Sequence, residues 1–125
     1  MFEITIETQF SASHQLNFRS IGPEALHLHN WQVKVAVCRE TLNSDGLVMD
    51  FHLLKAKTDE IIGIFSGKNI ETLPQFQDIN ASAENIAKYI YDRLEIYLPT
   101  DVKLSFVEVT EACSCVARYS NCRLS

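Results

Sequence analysis

Two stretches of this sequence alternate between apolar and polar residues, which is the period of a β-strand with one buried face. In the first stretch, which begins at the amino terminus, the apolar residues occupy even positions: Phe2, Ile4, Ile6, Phe10 and Ala12. In the second stretch, which ends near Glu40, they occupy odd positions: Trp31, Val33, Val35 and Val37. Each predicted strand therefore presents one face to a core and one to solvent.

Two helices are expected between these strands and the end of the chain. The segment Asn43-Ser44-Asp45-Gly46 is a turn signal, and the apolar spacing after Asp50 predicts a first helix over about 50–65 with Asp50 as its N-cap. Ser82 is the expected N-cap of a second helix, in which Ile86, Ala87, Ile90 and Leu94 form one apolar stripe and which Pro99 ends.

Two closing strands are predicted over Val102 to Val109 and Val116 to Leu124, where β-branched residues are frequent. The element order is then β-β-α-α-β-β within one domain that spans residues 1–125. Because short turns join successive strands, we expect the α+β class, with an antiparallel four-stranded sheet and two helices on one face.

Charge and hydrophobicity limit the partners that this chain could have. The formal net charge is -5 and the basic residues are scattered, so the basic stripe of a nucleic-acid-binding protein is missing. No apolar run approaches the roughly 20 residues that cross a bilayer. The chain starts with a strand pattern and not with a signal peptide. We therefore predict a cytoplasmic protein that binds a small molecule, neither nucleic acid nor membrane.

The four cysteines are interpreted as thiols. They are Cys38, Cys113, Cys115 and Cys122. A cytosolic chain with a core of this size does not need disulfides. Cys113 and Cys115 are also closer together than the cysteines of a zinc knuckle.

Three histidines occupy positions that could bring them together. His27 and His29 are two residues apart and share the parity of Trp31, while His14 continues the apolar face of the first strand. Two adjacent strands could bring all three imidazoles to one zinc ion, and three nitrogen ligands leave a fourth position open for a substrate. Taken alone, the same residues could also be ordinary core or surface histidines.

Several motifs, in order along nearly the whole chain, resemble those of the 6-pyruvoyl-tetrahydropterin synthase and 6-carboxy-tetrahydropterin synthase family. The stretches Phe10-Ser11-Ala12-Ser13-His14 and His27-Leu28-His29-Asn30-Trp31 resemble its zinc-ligand motifs. Gly46 to Phe51 and Ala81 to Ala87 resemble the starts of its two helices, and Val109-Thr110-Glu111 resembles the strand end that carries its pterin-anchoring glutamate.

The resemblance implies a fold, a cofactor and roles for four residues. It maps zinc ligands onto His14, His27 and His29. It implies that Glu111 holds the pterin ring, whose two neighbouring N–H donors suit a carboxylate. It also implies the tunnelling fold, in which subunits join their sheets into a barrel as trimers or hexamers. Exposed strand edges in the predicted sheet agree with a homo-oligomer.

The sequence departs from the family pattern at three places. The family's catalytic cysteine aligns with Pro23, one residue before Glu24, and a glutamate replaces the cysteine in a branch that cleaves the side chain of dihydroneopterin. Because a buried carboxylate can act as a general base, Glu24 is the catalytic candidate, although it could also be an ordinary loop residue. The family's Asp-His pair aligns with Ser66-Gly67, and Leu28 replaces the glycine between the two ligands.

Two functions remain open. The first is a zinc-dependent lyase that acts on the side chain of 7,8-dihydroneopterin or its triphosphate. The second is a catalytically degenerate homologue that binds zinc and a pterin without turnover. The remaining histidine, His52, is interpreted as a solvated residue at the start of the first helix.

Overall fold

The computed structural model describes residues 1–112 and 114–121. The strands and helices of these residues, in chain order, are β1 (Phe2–His14), β2 (Asn17–Phe18), β3 (Gly22–Pro23), β4 (His27–Arg39), α1 (Phe51–Ile62), α2 (Ala83–Glu95), β5 (Lys103–Ala112) and β6 (Cys115–Tyr119). Two short 3-10 turns, Ile70–Thr72 and Pro74–Phe76, lie between the helices.

The main sheet has four antiparallel strands in the order β1-β4-β5-β6. Strands β1 and β4 pair without interruption from Phe2 opposite Arg39 to His14 opposite His27. The predicted α+β class, with four sheet strands and two helices, is confirmed. The small sheet of β2 and β3 was not predicted, because strands of two residues are too short to show a period.

Both predicted N-caps are confirmed. The Asp50 side chain accepts a hydrogen bond from the His52 amide, and the Ser82 side chain accepts one from the Asn85 amide. The helices are shorter than predicted. Helix α1 ends at Ile62 and not near residue 65. Helix α2 ends at Glu95, four residues before Pro99, where the Tyr97 amide donates to the Leu94 carbonyl in a tighter final turn.

The core lies between the helices and one face of the sheet. Helix α1 packs against β1, α2 packs against β5 and β6, and the two helices contact each other. The apolar residues predicted for the inner face of β4 are buried, and Trp31 is fully buried. In β1 the prediction is confirmed for Ile6, Phe10 and Ala12, whereas Phe2, the first residue of the strand, is 49% exposed. Neither helix in residues 1–112 and 114–121 is long and apolar enough to cross a membrane.

The outer edge of β1 is partly covered near the histidines. The Gly67 amide donates to the Ser11 carbonyl and the Ser13 amide donates to the Lys68 carbonyl, at 2.7 and 2.9 Å. This contact satisfies backbone groups that would otherwise form an open strand edge. Cys38 and Cys115 are free thiols as expected, whereas Cys113, Cys122 and the predicted end of the last strand at Leu124 lie outside the described residues.

Candidate metal centre

Strand register brings the three histidines together. His14 is the last residue of β1 and is paired with His27, the first residue of β4. His29 pairs with Ala12, two residues further along the same pair of strands. Because side chains two residues apart in a strand leave from the same face, all three imidazoles meet at one end of the sheet. The predicted convergence of these rings is confirmed.

The orientation of His14 is fixed by a backbone hydrogen bond. Its side chain is fully buried, and its Nδ1 lies 2.7 Å from the Ala81 carbonyl oxygen, just before α2. A carbonyl only accepts, so Nδ1 carries a proton, which leaves Nε2 as the nitrogen that could bind a metal ion. This is how metal-binding histidines are held in proteins.

His27 is oriented in the same way. Its Nδ1 lies 2.9 Å from the Ala25 carbonyl oxygen, which again leaves Nε2 as the free nitrogen. The Nε2 atoms of His14 and His27 are 2.9 Å apart. Two lone pairs at that distance repel each other unless a cation, either a proton or a metal ion, lies between them. The donor set therefore fits a bound metal ion.

Glu111 completes the cluster. It lies two residues beyond Val109, on the same face of β5, and its Oε1 is 3.2 Å from His29 Nε2 and 3.5 Å from His27 Nε2. The same oxygen contacts His14 Nε2. One ligand atom from each of the four side chains lies within 4.8 Å of the others, so the cluster could hold a metal ion. Imidazole nitrogens with a carboxylate oxygen are a usual set for zinc.

The two more exposed histidines differ in their proton affinity. The hydrogen bond to the Ala25 carbonyl raises the pKa of His27, and the Glu111 and Glu24 carboxylates raise it further, against an opposing effect of burial. Burial lowers the pKa of His29, although Glu111 partly offsets this. Of these two rings, His27 therefore binds a proton more strongly when no metal ion is bound.

Trp31 packs against two of the histidine rings. Its indole ring meets the rings of His14 and His29 edge to face, with centroids 4.7 and 5.7 Å apart. Its Nε1 donates to the Ala12 carbonyl at 3.0 Å, which fixes the ring. Because Trp31 is fully buried, the histidines rest on a rigid aromatic surface that also keeps water from below the site.

The predicted catalytic candidate, Glu24, lies beside the cluster. Its Oε1 is 3.8 Å from His27 Nε2 and accepts a hydrogen bond of 3.2 Å from the Leu16 amide. Its backbone is also held, since the Glu24 amide donates to the Leu16 carbonyl and Gln15 Nε2 donates to the Glu24 carbonyl. The glutamate is thus fixed against β1 with its carboxylate directed at the histidines.

The positions that depart from the family pattern have clear locations. Gly67 has a φ of 72° and lies on the outer edge of β1. Leu28 points away from the two ligands that flank it and is 69% exposed, so its bulk does not enter the site. His52 is also exposed, next to Asp50, and takes no part in the cluster.

A cavity of about 300 Å³ borders the cluster at Glu111. Its other walls come from the start of α2 and from β6: Ala83, Glu84, Cys115, Val116, Ala117 and Arg118. A larger cavity of about 940 Å³, between Met1, Tyr91 and Lys103, lies at the other end of the main sheet. Of these two cavities, the smaller one lies beside the histidine cluster.

Residues 3–122 match the family of 6-pyruvoyl tetrahydropterin synthase. The chain belongs to this family. The 6-carboxy-5,6,7,8-tetrahydropterin synthase of Synechocystis is 34% identical to it over 134 residues, which cover 100% of this chain and 98% of that protein. The dihydroneopterin monophosphate aldolase of Pyrococcus furiosus is 32% identical over 108 residues, or 86% of this chain and 88% of that protein.

The fold agrees with a solved structure of this family. The Caenorhabditis elegans 6-pyruvoyl tetrahydropterin synthase superposes with a TM-score of 0.80 at 23% identity, covering 98% of both chains. The predicted fold is therefore confirmed, and the cluster lies within a domain of the pterin synthase family.

The sequence patterns did not indicate that Glu111 meets the imidazoles. The signal was present, because Glu111 has the parity of the buried residues Val107 and Val109 and so continues the core face of β5. The carbonyl oxygens of Ala25 and Ala81 orient two of the rings. These contacts could not be predicted from the sequence, because every residue type has a backbone oxygen.

Proposed function

We propose that this chain is a zinc-dependent lyase that acts on the side chain of 7,8-dihydroneopterin or its phosphorylated forms. The observation that carries the proposal is the convergence of three imidazole nitrogens beside a fixed carboxylate, Glu24. His14, His27 and His29 would hold the zinc ion. When bound, zinc polarises the side-chain hydroxyls of the substrate and lowers their pKa.

The two glutamates have separate roles in this proposal. Glu111, in the wall of the smaller cavity, accepts the two N–H donors of the pterin ring and fixes the ring. Glu24 accepts the proton of a side-chain hydroxyl. As that oxygen becomes a carbonyl, the adjacent carbon–carbon bond breaks and its electron pair moves towards the pterin ring. The fragment that carries the new carbonyl leaves as an aldehyde, and protonation of the carbon attached to the ring gives 6-hydroxymethyl-dihydropterin.

The choice of carbon–carbon cleavage rests on Glu24 and Pro23. Proline replaces the cysteine of the synthases, so the proton acceptor beside the histidines is a carboxylate. The similarity to a dihydroneopterin monophosphate aldolase supports the same reaction type. To determine whether the substrate is phosphorylated, turnover of the free, monophosphorylated and triphosphorylated forms is compared.

A second candidate function is pterin and zinc binding without turnover. The observation that favours it is the loss of the Asp-His pair, because Ser66 and Gly67 supply no group that transfers protons near neutral pH. In either case we propose that the protein is cytoplasmic. We also propose a homo-oligomer, because the β6 edge of the sheet has no strand beside it within the described residues. The resemblance to the family implies a trimer or hexamer.

Turnover by the zinc-loaded protein separates the two functions. Each substrate form is incubated with the protein and the products are resolved by chromatography. We expect 6-hydroxymethyl-dihydropterin from the wild type and a large loss of rate in Glu24→Gln, with Glu40→Gln, an exposed glutamate, as control. Product that survives Glu24→Gln would remove Glu24 from its role. Tight pterin binding with no product from any substrate form would support the second function, a protein that binds zinc and a pterin without turnover.

The metal ligands are tested by zinc content. We expect His27→Ala to lose most of its bound zinc and His52→Ala, in which an exposed histidine is replaced, to keep it. Unchanged zinc stoichiometry in His27→Ala would refute the proposed metal centre.

A further inference from the structure

The side chain of Asn80 joins the hairpin of β2 and β3, which leads into Glu24, to the segment before α2. The Asn17 amide donates to Asn80 Oδ1 at 2.9 Å, and Asn80 Nδ2 donates to the Asn17 carbonyl at 3.1 Å. Asn17 is the first residue of β2 and pairs with Pro23, the residue before Glu24. One side-chain amide thus supplies both the acceptor and the donor that a neighbouring strand would offer to Asn17.

The backbone of Asn17 needs such a partner because of its place in the ladder. The Glu24 amide donates to the Leu16 carbonyl at 2.9 Å. Bonded and non-bonded pairs alternate in an antiparallel ladder, so the next pair, Asn17 with Pro23, is of the non-bonded kind. The amide and carbonyl of Asn17 therefore point away from β3, and Asn80 satisfies both of them.

The same segment also orients one of the histidines. The Asn80 carbonyl accepts a hydrogen bond of 2.9 Å from Nδ2 of Asn85, in the first turn of α2. The next carbonyl along the chain, that of Ala81, lies 2.7 Å from Nδ1 of the buried His14 ring. Residues 80 and 81 are thus fixed to α2 and contact both the hairpin and a proposed metal ligand.

We infer that Asn80 is a positioning residue that holds Glu24 and His14 in place relative to each other. This inference rests on the proposed function and deepens it, since Glu24 is the proposed proton acceptor and His14 a proposed zinc ligand. Asn80 is not a member of the histidine cluster. It acts through the backbone of Asn17 on one side and through the Ala81 carbonyl on the other.

Glu24 needs this support because its position relative to the cluster is critical for proton transfer. Its Oε1 lies 3.8 Å from His27 Nε2 and is held by the Leu16 amide at 3.2 Å. A general base acts within about 2.6–3.2 Å of the atom that gives up the proton. A hairpin with strands of two residues is too short to hold such a position alone. Loss of the Asn80 amide frees the hairpin from α2, and the carboxylate moves with it.

The first test compares the turnover of Asn80→Ala and Asn43→Ala. The Asn43 side chain also makes two hydrogen bonds with the backbone, from the amides of Asp45 and Leu47, but it lies beyond the opposite end of β4. It is therefore the matched control. With zinc and dihydroneopterin saturating, we expect Asn80→Ala to lower kcat roughly 10- to 100-fold with little change in KM, because a misplacement of about 1 Å can cost about 100-fold. Asn43→Ala should keep the wild-type kcat.

The second test measures zinc affinity, which does not depend on turnover, by competition with a chelating dye. We expect roughly 10-fold weaker binding in Asn80→Ala, the lower end of the loss caused by changing the outer partner of a metal-binding histidine. Asn80→Asp should lie between Asn80→Ala and the wild type, because its carboxylate accepts from the Asn17 amide but cannot donate to the carbonyl. Asn43→Ala should bind zinc as the wild type does.

The third test follows the position of Glu24 by amide hydrogen exchange. The Leu16 amide donates to the Glu24 carboxylate, so its protection reports that this side chain is in place. We expect faster exchange at Leu16 in Asn80→Ala and wild-type exchange in Asn43→Ala. Asn17 and Asn80 are both exposed, so water can replace the lost bonds and the variant should fold, which circular dichroism verifies.

The outcomes separate this inference from the proposed function. If Asn80→Ala matches Asn43→Ala in both zinc affinity and Leu16 exchange, the inference is overturned, whether or not the wild type turns over a pterin. A change in zinc affinity alone would overturn the link to Glu24, and a change in exchange alone would overturn the link to His14. Wild-type kcat in a variant that has released Glu24 would instead overturn the proposed role of Glu24 and leave the positioning role of Asn80 supported.

Discussion

Replacing Trp31 with phenylalanine should destabilise the domain and weaken its metal site together. Trp31 is fully buried, and its Nε1 donates to the Ala12 carbonyl. The phenyl ring lacks about three heavy atoms of the indole, and at about 0.8 kcal/mol for each buried group this costs roughly 2 kcal/mol. Loss of the hydrogen bond adds about 1 kcal/mol. We expect a total loss of about 3 kcal/mol.

Thermal unfolding of the metal-free protein checks this value. About 1 kcal/mol shifts Tm by roughly 4 °C in a domain of this size, so Trp31→Phe should unfold roughly 12 °C lower than the wild type. Zinc affinity should also fall, because the rings of His14 and His29 lose part of the surface on which they rest. Tyr97→Phe, a change at a half-exposed ring, is the control and should have little effect.

A Tm within about 4 °C of the wild type would refute this reasoning, since it would leave less than about 1 kcal/mol for the indole. A large loss of Tm with unchanged zinc affinity would refute only the second part. The histidines would then be held by their backbone hydrogen bonds, of which the contact of His14 with the Ala81 carbonyl is the most buried.

Three further predictions concern the metal ion and the second helix. Removal of zinc by a chelator should destabilise the protein by about 4 kcal/mol relative to protein at a free zinc concentration of about 1,000 times Kd, as measured by thermal unfolding. Zinc affinity should fall as pH decreases from about 8 to about 6, because protons compete with the metal ion for His27. The raised pKa of His27 makes this competition begin at a higher pH than for an ordinary histidine. A zinc Kd independent of pH would contradict this prediction. Ser82→Ala should cost about 1 kcal/mol of unfolding free energy through loss of the α2 cap, whereas Ser44→Ala in an exposed turn should cost little.

The strands and the positions of the histidines could be predicted because both follow from one period. The alternation in β1 and β4 indicates which side chains face the core, and a shift of one residue would turn these side chains outward. It places the three histidines on the core face but does not select the pairing, because a shift of two residues keeps both faces. The pairing of His14 with His27 is known only from the structure.

The remainder of the site could not be predicted because it depends on segments without a period. Glu24 is held by three hydrogen bonds: its amide donates to the Leu16 carbonyl, its carboxylate accepts from the Leu16 amide, and its carbonyl accepts from the Gln15 side chain. No pattern of residue types reveals these bonds. Helix ends also differ from prediction, since the apolar spacing continues to Phe65 after the helical hydrogen bonds have ended at Ile62. Phe65 still packs into the core, with Ile64 against it, although both lie beyond the end of the helix.

The residues whose placement could be predicted are the proposed metal ligands, whereas those whose placement could not be predicted are the proposed acid-base and ring-binding groups. The three imidazoles lie on the two longest strands, which are anchored by the buried face of the sheet, and such positions hold a metal ion rigidly. Glu24 lies in the loop between those strands, and Glu111 lies where β5 meets an irregular pairing with β6. The histidine cluster can therefore persist while the proposed acid-base groups around it change. This arrangement would allow the departures that the resemblance implies at Pro23, Ser66 and Gly67 beside an intact histidine cluster.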